Sequence, residues 1–147
     1  MSSKFTDEER LERACLRVAM HIRGLWEEKG SSDTRLLEGL FIPDELTVAG
    51  QSNAYRGEGR REHVVPRKVI IEECHEMLRR GEDDARIARF IRDNLKIVLI
   101  TREECERLDR KANHGLRQKM PADWMAGGDV FARLNAAGIA WTPKGGS

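Results

Sequence analysis

Leu11, Ala14 and Cys15, Val18 and Ala19, Ile22, and Leu25 with Trp26 recur at the three-to-four-residue spacing that lines up one face of a helix. Ahead of them, Thr6-Asp7-Glu8-Glu9 has the form of a capping box, in which the threonine hydroxyl accepts from an early helical N–H and the glutamate reaches back. Gly30 stops the pattern. The spacing predicts one long amphipathic helix within residues 1–30. Its stripe is narrow and its other face heavily charged, so it must lie on something. Either the rest of this chain or a second copy would serve, which makes a protein partner or a homodimer one expectation for this helix.

Further along, Leu46 to Gly50 reads as a short strand and Gln51 to Gly59, with its serine, asparagine and two glycines, as an exposed, mobile segment. Arg60 to Pro66 should be extended, because residues before proline avoid the helical region. Ile70, Ile71, Cys74, Met77 and Leu78 place a helix over Arg67 to Arg80, with Gly81 as its stop. Asp83 caps a shorter helix carrying Ile87, Phe90 and Ile91. The β-branched run from Asn94 to Ile100 predicts a strand. A second capping box, Thr101-Arg102-Glu103-Glu104, opens a helix through about Ala112, and Asp129 caps a last helix over Val130, Phe131 and Leu134 that Gly138 ends. Residues 143–147 read as a flexible tail. The sum is an α+β fold, mostly helical with a small antiparallel sheet, in a single domain over residues 1–147.

Composition agrees with an ordinary globular chain: of 147 residues, 39% are apolar and 35% charged. Lysine and arginine number 26 against 25 acids, a formal net charge of +1, which excludes a histone-like or strongly acidic strategy for the whole chain. The balance is uneven. Up to Glu45 there are 7 basic and 10 acidic residues, and beyond it 19 and 15, a weak pointer to a polyanion for the later part. No run approaches the ~20 apolar residues that span a bilayer, so no membrane is expected as a partner. The first residues lack the apolar stretch of a secretory signal. Cys15, Cys74 and Cys105 make neither a CxxC pair nor an even disulfide framework. A reducing, cytoplasmic setting is the expectation.

One arrangement carries chemistry: Glu62-His63-Val64-Val65-Pro66 ending a strand, then Asn94 leading a strand, then a capped helix with Glu104-Cys105 in its first turn. Over roughly residues 60–112 this resembles the HNH nucleases, the ββα-metal fold. The resemblance implies an acid-histidine pair closing the first strand, with Glu62 as metal-binding acid and His63 as general base. It implies that Asn94 orients that histidine, and that Glu104, Cys105 or the more distant His114 stands near the family's last metal-binding residue. Two helices are inserted between the paired strands, and the long N-terminal helix lies outside the resemblance.

The chemistry fits those residue types. Phosphodiester hydrolysis needs a water relieved of a proton, which a neutral imidazole can take near neutral pH. It also needs a stabilised leaving oxygen, which one divalent ion could supply, Mg²⁺ foremost and Mn²⁺ or Zn²⁺ as alternatives. Adjacent strand residues face opposite sides, so Glu62 and His63 reach one point only if the strand bends at its end. Arg56, Arg60, Arg61, Arg67 and Lys68 flank the motif and suit a phosphate backbone without reading its sequence. The expectation is therefore a metal-dependent endonuclease acting on DNA, with RNA a second candidate. The rival readings are a non-catalytic interaction module (an inhibitor, immunity or accessory protein) and an inactive nucleic-acid-binding relative.

Overall fold

Side-chain caps set the start of three of the five α-helices among the described residues. The computed structural model describes residues 4–110 and 119–144. Helix α1 runs Asp7–Lys29, opened by the full Thr6–Glu9 capping box and closed by Gly30 in the left-handed conformation. Two short 3₁₀ turns follow, Thr34–Leu37 and Asp44–Leu46, and then strand β1, Val48–Ser52. Strand β2 is Arg60–His63, helix α2 Arg67–Arg79, helix α3 Asp84–Asn94 and strand β3 Ile97–Ile100. Helix α4 is Arg102–Asp109, helix α5 Ala132–Ala136 and strand β4 Trp141–Pro143. This is an α+β fold, as the periodicities require.

The chain forms two units, each built from two separated stretches: Met1–Thr47 with Ile70–Leu95, and Val48–Val69 with Lys96–Ser147. In the first, Ala14, Cys15, Val18, Ala19 and Ile22 of α1 are all buried, and α1 packs chiefly on α3. The amphipathic stripe is thus covered by this chain itself. Arg92 of α3 reaches Glu12 at 3.0 Å, and Arg23 donates to Asp84 at 2.6 Å and to the Glu82 carbonyl at 2.6 Å. Leu16 and Met20 remain on the outer side of α1, 40% and 54% exposed. Among the described residues no helix is long and apolar enough to cross a membrane.

The second unit holds the sheet, in the order β2-β3-β1-β4. β2 pairs antiparallel with β3, with Arg60 opposite Ile100 and His63 opposite Ile97, and β4 pairs antiparallel with β1. β1 and β3, however, run parallel, so the sheet is mixed rather than antiparallel. A parallel pair needs a long crossover, and the chain between β1 and β3 supplies it through β2, α2 and α3. Val64, Val65, Ile97, Val98, Ile100, Leu108 and Leu134 are buried around this sheet. Two glycines allow its close contacts. A Cβ at Gly50 would stand 2.1 Å from the Thr142 carbonyl oxygen, and one at Gly59 2.0 Å from that of Ile100.

Four boundaries differ from the sequence expectation. The strand expected at Leu46–Gly50 begins two residues later and includes Gln51 and buried Ser52, part of the segment expected to be exposed. Asn94 does not lead a strand; it is the last residue of α3. The last helix starts at Ala132, because Asp129 accepts from the Phe131 N–H without being its N-cap. The tail expected from residue 143 is ordered at least to Lys144: Pro143 belongs to β4, and the Lys144 N–H donates to the Ala49 carbonyl.

Candidate functional site

β2 turns alternate residues to opposite faces, and its contacts show which. Arg60 and Glu62 face the helices. The Arg60 guanidinium donates to the Cys105 thiol and lies 3.3 Å from Asp109, both on α4. Glu62 accepts a hydrogen bond from Arg133 of α5 at 2.9 Å. Arg61 and His63 therefore share the other face, with Cα atoms roughly 6–7 Å apart as strand geometry sets. Arg61 is exposed and His63 half-buried. No bend brings Glu62 and His63 to one point, because both stay in register with β3.

Arg133 and Glu62 form a buried ion pair, their side chains 1% and 11% exposed. The other guanidinium nitrogen of Arg133 donates to the His63 carbonyl oxygen at 2.6 Å. Burial pushes the Glu62 carboxyl above its usual range, while the charge and hydrogen bond of Arg133 pull it back. Sequence reasoning missed Arg133 altogether. An arginine in a short amphipathic helix reads as a solvated residue, and only a buried carboxylate opposite it reveals otherwise.

Glu104 is equally engaged. Its Oε1 accepts from the Ser52 hydroxyl at 2.6 Å and from the Thr101 N–H at 2.9 Å, while its own N–H donates to the Thr101 hydroxyl at 3.0 Å. Glu104 and Ser52 are both buried, so the side chain acts as a helix cap and as a tie between α4 and β1. Cys105 is buried beside Arg60 and Asp109; burial raises its thiol pKa and the Arg60 hydrogen bond opposes this.

Asn94, expected to orient His63, belongs to the first unit and donates from its side-chain amide to the Phe90 carbonyl of its own helix at 2.8 Å. Its Oδ1 is buried with no hydrogen-bond partner among the described residues. His114 lies outside the described residues. Of the basic candidates, Arg56 donates to the Asn53 and Tyr55 carbonyls, Arg60 to α4, and Arg67 and Lys68 open α2.

The candidate ligands do not fit a divalent ion as they stand. Glu62 is held by a cation already, Oε1 of Glu104 serves both Ser52 and Thr101, and the Cys105 thiol accepts from Arg60. No three histidine, cysteine, aspartate or glutamate side chains gather into a cation site among the described residues. What the second unit presents instead is an exposed guanidinium, Arg61, and a half-buried imidazole, His63, on one face of an edge strand. No family model, no curated protein and no solved structure matches the chain.

Proposed function

We propose that this chain is an endonuclease that hydrolyses phosphodiester bonds in DNA, working from the Arg61–His63 face of β2. The observation that carries this reading is the order β2, β3, α4: an antiparallel strand pair leading directly into a capped helix, with His63 as the last paired residue of β2. This is the arrangement that the likeness to ββα nucleases calls for. His63 takes the proton from the attacking water as the new P–O bond forms, the role a neutral imidazole suits near pH 7. The P–O bond to the departing sugar oxygen breaks, and that oxygen takes its proton from solvent water. Arg61, two residues back on the same face, holds the phosphate and offsets charge that develops on its oxygens. Arg67 and Lys68, which follow in sequence, add backbone contacts of the kind that weaken as salt rises. No step is assigned to a metal, because Glu62 and Glu104 are committed elsewhere. The three free cysteines favour a reducing compartment, and we place the protein in the cytoplasm.

The test is nicking of supercoiled plasmid, run in parallel with Mg²⁺, with Mn²⁺ and with EDTA, and repeated on single-stranded RNA. His63→Ala should lower the rate about 10²-fold, as loss of a general base typically does. Nicking by His63→Ala equal to wild type removes the proposal. The second reading, a nucleic-acid-binding protein without hydrolysis, is favoured by the engagement of both carboxylates. Salt-dependent DNA binding with no cleavage under any of the three conditions would establish it.

A further inference from the structure

Where the resemblance calls for a divalent ion, at Glu62, the chain has a guanidinium. Arg133 is fully buried, and its two terminal nitrogens reach the Glu62 carboxylate at 2.9 Å and the His63 carbonyl oxygen at 2.6 Å. A carboxylate and a backbone carbonyl are the hard oxygen donors that Mg²⁺ would use. Here one planar cation spans both. We propose that Arg133 is a permanent internal cation of this chain, which takes the place of a divalent ion at the end of β2 and keeps such ions away from Glu62. The inference deepens the reading of β2 as the working strand, since the carbonyl it fixes belongs to His63.

The physical argument is one of exclusion. An ion entering at Glu62 would bring positive charge against a guanidinium that has no water to retreat into. It would also draw the Glu62 carboxylate away from that guanidinium, and breaking a buried ion pair by removing one partner's charge is strongly destabilising. Arginine suits the place better than lysine would. Its fork donates in two directions from one rigid plane, whereas an ammonium is a compact point charge with a flexible stem. The pair also explains why a carboxylate can sit buried in this strand at all.

Paramagnetic Mn²⁺ titrated into the full-length ¹⁵N-labelled protein tests this without reference to activity. The amide signals of Glu62, His63 and Val64 should keep their intensity up to millimolar Mn²⁺, and the melting temperature should be the same in Mg²⁺, Mn²⁺ and EDTA. Selective loss of those three signals at lower Mn²⁺, or a melting temperature that rises with either ion, overturns the proposal. Arg133→Lys should melt below wild type and Arg133→Met lower still, with Glu62→Gln/Arg133→Met losing less than the two single changes combined. Simple additivity of the two changes would also overturn it. The two readings fail separately. Equal nicking by His63→Ala removes the nuclease and leaves the internal cation, whereas Mn²⁺ broadening at Glu62 does the reverse.

Discussion

Glu104 was a candidate metal ligand in the sequence and is a structural tie in the fold, and the two roles give opposite outcomes for one pair of substitutions. Replacing it by alanine removes the acceptor for the Ser52 hydroxyl and the Thr101 N–H. Ser52 is 1% exposed, so water cannot replace the lost partner. Hydrogen bonds to a carboxylate contribute about 1.5–3 kcal/mol each, and a lost cap about 1 kcal/mol, with some of that shared between them. A total near 3 kcal/mol follows, and for a chain of this size it lowers the melting temperature by roughly 6–12 °C. Glu104→Gln keeps a side-chain oxygen able to accept both bonds, so it should cost about 1 kcal/mol. Thermal unfolding followed by far-ultraviolet circular dichroism measures both variants. The plasmid assay then separates the roles: Glu104→Gln should nick within a few-fold of wild type, because nothing in the proposed chemistry passes through this carboxylate. An alanine variant as stable as wild type would refute the structural argument. A well-folded glutamine variant with its nicking abolished would return Glu104 to the chemistry.

Two further outcomes follow from burial. The Cys15 and Cys74 thiols are both pushed up to about 12 by burial, so an aromatic disulfide reagent at pH 8 should label neither in the folded protein within minutes, and both once urea is added; rapid labelling of either in the folded protein would contradict their placement. His75 stacks on Trp26 with ring centroids 4.8 Å apart, and its Nε2 lies 2.7 Å from the Ser32 hydroxyl. Burial, and then the charge of Arg79, lowers its pKa below the ordinary 6.5. The unfolded chain therefore binds the proton more readily, so this contribution is complete above about pH 6.5 and is lost as pH falls below it. The urea midpoint should fall on acidification from pH 7.5 to 5.5, and by less in His75→Gln; an equal fall in both proteins would refute the assignment.

Helices were legible because their ends are written locally. Thr6, Asp83 and Thr101 each cap the helix that follows, as their side-chain chemistry predicts. The β2–β3 pair also came through, since Val64-Val65-Pro66 and the Ile97–Ile100 run have few alternatives. What failed was whatever depends on distant partners. Trp141-Thr142-Pro143 is too short and too proline-bound to signal a strand, and becomes β4 only because β1 offers it an edge. Asn94 suits a helix end as well as a turn, and the carbonyl of Phe90 decided for the helix. The parallel alignment of β1 with β3 leaves no local trace. For the site, the residue types at β2 were readable, but whether Glu62 met an ion or an arginine was settled by α5, seventy-one positions away along the chain.

The strand order has a bearing on the sequence of events as this polypeptide leaves a ribosome. β1 and β2 are both synthesised early, yet neither is the other's neighbour: each waits for β3, which emerges only after α2 and α3. Until residue 100 has appeared, nine strand residues have no sheet to join, and a nascent product halted before that point would carry two unpaired strands open to aggregation or to capture by a chaperone.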